Sequence, residues 1–258
     1  MPTDHEPRAR PDPSPGLPPG LVPAWAAAPR PRRGPKPAHT VAQVVAAAVE
    51  LADAEGLAAA SLPNIAAALG LTTNALYRYV DSKDELLVLL ADAGFGPPPP
   101  VGDDAPDWRA AVRAWAHAAL DRYRARPWLL DVPFRGGPVT PHRLAWTERL
   151  LAVLATAGVS GAEALGCATL VADVTRTTAE HLRARTDPDA TDPDPTDADA
   201  TGRAADVRAF LRPLLAERGY PHLAALVDRG GFPAATAVDF GLDRVLDGIA
   251  ALVAASRA

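Results

Sequence analysis

The chain has 258 residues, 26 Lys and Arg against 31 Asp and Glu, one Cys and an apolar share of 48%. That length allows one or two globular domains with a sizeable core. A single cysteine, Cys167, excludes a disulfide framework and any multi-cysteine metal site, and it points to a reducing compartment, the cytoplasm. No run approaches the roughly eighteen apolar residues of a membrane span, and Leu17–Ala28 is cut by Pro18, Pro19 and Pro23, so neither an anchor nor a signal peptide fits. A net charge of −5 argues against a chain coated with base for nucleic acid, but local patches decide that question.

Residues 1–36 hold eleven prolines, six basic and three acidic side chains and no helical or strand periodicity, which predicts a disordered basic arm of net charge +3. From Thr40 the pattern changes. Val41, Val44, Val45, Ala48, Val49 and Ala52 recur at spacings of three and four, with a capping box at Thr40 and Gln43 and a stop at Gly56. Ser61 caps a shorter helix over Leu62–Leu69, ended by Gly70, and Leu71–Val80 reads as a third helix. Ser82 and Glu85 form another capping box, which starts a fourth helix towards Phe95. These elements define a domain over residues 37–95.

Pro97–Pro100 breaks the chain, and residues 96–258 read as a second domain. Asp107 opens a helix with Trp108, Val112, Trp115, Ala119 and Tyr123 near one stripe, followed by a turn at Pro127–Leu130. Thr140 and Pro141 give an N-cap and first-turn proline for a helix ending at Gly158, and Ser160 with Glu163 begins another that reaches about Arg185. Residues 186–202 alternate Thr, Asp, Pro and Ala and read as an acidic, disordered linker; their six Asp lack the central Gly and terminal Glu of a calcium loop. Helices then resume over Arg203–Gly219 with a kink at Pro213, around His222–Val227, and from about Ala234 to Ala255. No period-two run suggests a sheet, so the fold class is all-α.

The second and third helices of the first domain have the spacing of a helix-turn-helix. Leu71, Leu76 and Val80 are expected to face the small core, leaving Thr72, Thr73, Asn74, Tyr77 and Arg78 outward. Thr, Asn and Arg are side chains that read base edges, whereas Tyr77 and Lys83 suit phosphate oxygens, Lys83 at the start of a helix whose backbone amides favour an anion. Only Arg78 and Lys83 are basic in residues 40–95, against seven acids, so the folded domain alone offers little phosphate neutralisation. Arg30, Arg32, Arg33 and Lys36 of the arm are the expected supplement, along the backbone or in the minor groove.

Gly34-Pro35, Ile65–Leu71 and the run Ala75-Leu76-Tyr77-Arg78-Tyr79-Val80-Asp81-Ser82-Lys83-Asp84-Glu85-Leu86-Leu87 closely resemble the DNA-binding domain of the tetracycline-repressor (TetR) family of bacterial transcription regulators. Arg126–Leu129 and Phe240–Ile249 resemble the C-terminal domain of its tetracycline-repressor-like branch. The resemblance departs at Ser61-Leu62-Pro63-Asn64, which lacks the basic residue of many relatives. It implies an N-terminal three-helix helix-turn-helix domain and a C-terminal helical ligand-binding and dimerisation domain. It further implies a homodimer paired through its C-terminal helices, a double-stranded operator, and a small-molecule effector that releases DNA.

For the effector, aromatic and polar side chains of the second domain are the candidates: Trp108, Trp115, His117, Trp128, His142, Trp146, Arg149, Thr169, Asp173, Arg176 and Thr177, with His181 beside them. For each of these, packing or solvent exposure is the competing explanation. The six His show no i, i+3 or i+4 pair, so no metal or other cofactor is expected, and Cys167 reads as a small buried apolar side chain. Two other functions compete with a ligand-responsive repressor: a helical small-molecule-processing enzyme, for which no nucleophile–base or phosphate-loop motif is present, and a DNA-bound scaffold that senses nothing.

Overall fold

A computed structural model of the chain describes residues 17, 19–25, 39–99, 107–133, 139–186, 198–229 and 238–255; among these there are eleven α-helices and no strand. The chain divides into two compact units, residues 1–99 with 131–149, and residues 100–130 with 150–258.

In the first unit, α2 (Val41–Glu55) starts at the expected capping box, with Thr40 Oγ1 accepting from the Gln43 amide and the Gln43 side chain accepting from the Thr40 amide. Helix α3 (Leu62–Ala68) is capped by Ser61, α4 (Thr73–Leu76) by Thr72, and α5 (Lys83–Phe95) by Ser82, each through a side-chain oxygen on the amide three residues on. The fourth-helix box is displaced by one residue: Glu85 reaches the Asp81 amide (2.7 Å) rather than that of Ser82. Val44, Ala48, Ile65, Leu76, Val80, Leu86 and Leu90 are almost wholly buried and form the core of this head.

The arm is not structureless throughout. Leu21–Trp25 forms a one-turn helix, α1, that packs on α5. Gly20, at φ +79°, approaches so closely that a Cβ there would lie 2.9 Å from Val88 Cβ, and Pro23 is tolerated because it falls in the first turn. The Trp25 indole donates to the Val139 carbonyl at 2.7 Å. Residues 1–16, 18 and 26–38, including Arg30, Arg32, Arg33 and Lys36, lie outside the described residues.

Helix α7 (Pro141–Thr156) gives its first half to the first unit. The sequence reading places residues 131–149 in the second domain. Of these, His142, Trp146 and Arg149 of α7 donate hydrogen bonds to Asp92, Gly96 and Pro99 within the first unit.

The second unit is built on α6 (Trp108–Ala125), capped by Asp107, with a 3-10 turn at Pro127–Leu130, the second half of α7, and α8 (Gly161–Thr186). It is completed by α9 (Ala198–Glu217), α10 (Pro221–Asp228) and α11 (Val238–Ala255). Helix α8 runs to Thr186 and α9 begins at Ala198, so residues 186 and 198–202 of the segment read as linker are helical; residues 187–197 are not described. Pro213 does fall within α9. Val112 and Ala116 of α6, Leu150 and Leu154 of α7, Ala164, Cys167, Ala168 and Val171 of α8, and Leu242, Leu246, Ile249 and Val253 of α11 form one core. Burial, reinforced by Glu163, pushes the Cys167 thiol pKa above its ordinary value, as befits a packed apolar side chain.

Around this core α6 and α11 are joined by a ladder of charge. Arg109 pairs with Asp247, Arg113 with Asp243, and His117 Nε2 lies 3.6 Å from Asp239. Each rung is four residues from the next on both helices, in opposite senses, so the pairs require antiparallel helices. The Arg109 hydrogen bond, then that of Arg244, holds the Asp247 carboxyl below its usual pKa. A lowered folded-state pKa means that this contribution is present at neutral pH and is lost as pH falls through the lowered value. Asp247→Asn is therefore expected to lower the melting temperature most near pH 7, and the gap to wild type should close on acidification; thermal melts across pH 3–7 check this.

Candidate nucleic-acid interface and effector-domain residues

The turn between α3 and α4 is fixed by the backbone. The Leu71 amide donates to Ala66 O (2.8 Å) and the Gly70 amide to Ala67 O (3.1 Å), the paired bonds of a Schellman end, with Gly70 at φ +65°. Only a glycine takes that conformation without steric cost. Helix α4 thus leaves α3 at a set angle, anchored by Leu76 and Val80, both 0% exposed.

The third helix is shorter than its periodicity suggests. Regular α-helix covers Thr73–Leu76, and Tyr77–Tyr79 continue as tighter turns in which the Arg78 amide bonds Ala75 O and that of Tyr79 bonds Leu76 O. Thr72, Asn74, Tyr77 and Arg78 are exposed, Thr73 is half-buried, and Leu71, expected in the core, is also half-buried. Thr72 has a second task, because its hydroxyl accepts from the Ala75 amide at 3.2 Å and starts the helix. Lys83, exposed, opens α5 next to Ser82, whose hydroxyl holds the Glu85 amide at 3.0 Å. The polar group Thr72, Thr73, Asn74, Tyr77, Arg78 and Lys83 therefore falls on one short stretch of a single unit.

The effector candidates fall into three sets. Trp108 and Trp115 pack half-buried on the second core, and Trp128 is 4% exposed on the 3-10 turn. Arg176 crosses to that turn, donating to Leu130 O at 2.7 Å and pairing with Glu180 at 3.0 Å. Thr169, Asp173, Thr177 and His181 form an outward stripe on α8, since Ala164, Ala168, Val171, Thr175 and Ala179 take the inward positions, and His117 stands exposed in the charge ladder. The remaining three, His142, Trp146 and Arg149, lie in the first unit on α7. Trp146, 2% exposed, donates to Gly96 O at 2.9 Å and meets Phe95 edge to face at 5.1 Å. Arg149 bonds Pro99 O, and His142 sits on Asp92.

Sequence reasoning missed Asp92. It is 7% exposed, and its carboxylate accepts from the His142 and Arg143 amides. Nothing local marks it, because its partners are fifty residues away. Among the described residues no three His, Cys, Asp or Glu gather as a metal site, and no helix is long and apolar enough to cross a membrane.

Comparison with known proteins fits this architecture. Residues 44–90 match the model of the bacterial regulatory proteins of the tetR family, and residues 99–253 match the tetracyclin repressor-like C-terminal domain. The chain belongs to the TetR family. It is 35% identical over 236 residues to the HTH-type transcriptional repressor DrrR1 of Streptomyces coeruleorubidus, covering 90% of this chain and 85% of that one. Its fold is similar to apo ActR of Streptomyces coelicolor, with a TM-score of 0.67 and 21% identity over 86% of this chain and 99% of that one. ActR in complex with (S)-DNPA gives the same TM-score of 0.67, with 22% identity over 84% and 100% of the two chains.

A TetR-type head requires the turn at Gly70 to keep its angle. Gly70→Ala places a Cβ in the left-handed region and is expected to cost about 1–2 kcal/mol of stability, measurable by urea unfolding.

Proposed function

We propose that the protein is a cytoplasmic transcriptional repressor that binds operator DNA as a two-fold homodimer and is released from it by a small molecule. The observation that carries this reading is the exposed set Thr72, Asn74, Tyr77 and Arg78 raised on a buried Leu76, in a chain of the TetR family. The repressor DrrR1 and the ligand complex of ActR support the direction of control and the presence of an effector.

Thr73, Asn74 and Arg78 address base edges in the major groove, where amide and guanidinium groups discriminate by paired hydrogen bonds, and Tyr77 and Lys83 fix the register on phosphates. Thr72 offers its methyl group and its hydroxyl proton, since the hydroxyl oxygen already accepts the Ala75 amide of the helix cap. A dimer holds two such segments about 34–36 Å apart, matching successive major grooves. The effector favours a spacing that no longer matches and so shifts the population to the free protein. Trp108, Trp115, Trp128 and Arg176 are its contacts in this reading. His142, Trp146 and Arg149 instead hold α7 to the end of α5. The outward stripe of α8, with Leu165 and Leu170 half or more exposed, and Phe240 and Leu252 on α11 meet a second copy.

The decisive experiment replaces Tyr77 and Arg78 together by alanine. The expected result is loss of about 2–4 kcal/mol of operator affinity, one to three decades in Kd, with an unchanged melting curve. Unchanged binding in an anisotropy titration would refute the reading.

Charge gives a second test. If the charges of Arg78, brought into the groove as it reads a base, and of Lys83 on a phosphate are the only ones to displace counterions, a dimer brings about four, and log K falls against log salt with a slope near −3.6. Contribution from the arm makes the slope steeper. Changing Arg30, Arg32, Arg33 and Lys36 to Gln is then expected to return it towards −3.6, whereas deleting the arm outright would also remove α1 from α5. An identical slope in both proteins would exclude the arm from the complex.

A further inference from the structure

Among the described residues, Thr40, Ser61, Thr72, Ser82 and Asp107 each close the first turn of their helix by accepting the amide three residues on. Helix α7 is built differently. Thr140 stands at its N-cap position, since its carbonyl accepts the first intrahelical bond from Leu144 at 2.9 Å, and Pro141 follows as the first helical residue. The amides that an N-cap side chain normally serves are those of His142 and Arg143. Both point instead at Asp92 of α5, with Oδ1 at 3.1 and 3.3 Å, and the His142 ring is also held there, its Nδ1 2.9 Å from the Asp92 carbonyl oxygen. The Thr140 hydroxyl, on a residue 5% exposed, has no hydrogen-bond partner among the described residues.

Helix α7 thus has two acceptors for one pair of amides. The borrowed one is engaged and its own is idle. A buried hydroxyl without a partner is costly, and threonine is a good N-cap, so the idle arrangement is poised rather than inert.

We infer that the start of α7 is a two-position switch in which Asp92 and Thr140 exchange as its cap. In the position described here the Asp92 carboxylate ties α5, the helix that opens with Lys83, to α7. In the other, the Thr140 hydroxyl rotates to accept the Arg143 amide, and Asp92 withdraws with α5 and becomes hydrated. Each step compensates the other: the charge-assisted bonds of Asp92 are lost, but the helix end keeps an acceptor and the orphan hydroxyl gains a donor. Two discrete hydrogen-bonded arrangements of similar energy allow a small displacement to be read as an all-or-none change. The inference rests on the DNA-binding reading above, and it assigns the Asp92-capped position to the operator-bound protein.

The test uses the full chain without effector and an operator duplex that the wild-type protein enriches from a randomised library. Operator affinity and melting temperature are measured for Asp92→Asn, Thr140→Val and Thr140→Ser. Asp92→Asn weakens the engaged cap and is expected to lower affinity about five- to tenfold. Thr140→Val keeps the shape but removes the alternative cap, so it should tighten operator binding about threefold and raise the melting temperature. Thr140→Ser, which restores a hydroxyl, should stay close to wild type. Melting shifts with unchanged operator affinities would mean a merely structural role and would overturn the switch, as would Asp92→Asn and Thr140→Val moving affinity in the same direction. If Asp92→Asn does not fold, the Val and Ser variants at Thr140 decide the matter alone. A library that yields no bound duplex overturns the DNA-binding reading and the switch with it, whereas a bound duplex with indifferent variants overturns only the switch.

Discussion

The end of helix α5 is held to α7 by hydrogen bonds as much as by apolar burial, and the first unit depends on that seam. Asp92, the Gly96 carbonyl and the Pro99 carbonyl accept from His142, Trp146 and Arg149, and each pair is separated by fifty residues. A constant separation means that the two stretches run alongside each other in the same direction. Sliding of α7 by one position would break all three contacts together, so the seam holds or fails as a unit. Trp146 adds a buried aromatic contact with Phe95 to the same seam.

The reading head solves recognition with little charge. Arg78 and Lys83 are the basic side chains of residues 40–95, whereas Glu85 and Asp92, two of the seven acids there, are buried and used as caps. A head of this kind gains little affinity from phosphates at random sites. On the proposed reading, its preference for one operator over bulk DNA comes chiefly from directional hydrogen bonds by Asn74 and Arg78, which reward the matching base pairs and little else. The Schellman turn at Gly70 matters for the same reason: directional contacts fail with small errors of angle, and that turn leaves the backbone few alternatives.

Much of this was legible in the sequence, and the exceptions share a cause. Capping boxes, Gly stops and first-turn prolines are local, so the starts of α2, α3, α5, α6 and α7 fall where Thr40, Ser61, Ser82, Asp107 and Thr140 place them. Apolar periodicity does not distinguish α-helix from the tighter turns that follow it, so Leu71–Val80 reads as one helix although α4 ends at Leu76. Helix α1 has no periodicity and three prolines nearby; what orders it is the fit of Gly20 against Val88, far along the chain. Asp92 was invisible for the same reason, and Thr140, correctly read as the N-cap residue, turned out not to be the cap in use.

Composition also explains why the polar candidates of α8 separate as they do. A helix that packs closely on neighbours through Ala164, Ala168 and Ala179 presents its narrowest side inwards, and there Thr175 satisfies its hydroxyl on Val171 O of its own helix (2.7 Å). Thr169, Asp173 and Thr177 are left on the opposite side, interleaved with Leu165 and Leu170. A side chain set that mixes large exposed leucines with short hydrogen-bonding groups is poorly suited to water alone and well suited to a surface of the same kind. On the proposed reading this stripe faces its own copy across a two-fold axis, with leucine against leucine. The aromatic candidates Trp108, Trp115 and Trp128 lie elsewhere: Trp108 and Trp115 pack on the core of the second unit, and Trp128 is buried on the 3-10 turn. The aromatic and short polar candidates therefore divide between buried and outward positions, and on α8 that division is set by its small residues rather than by the candidates themselves.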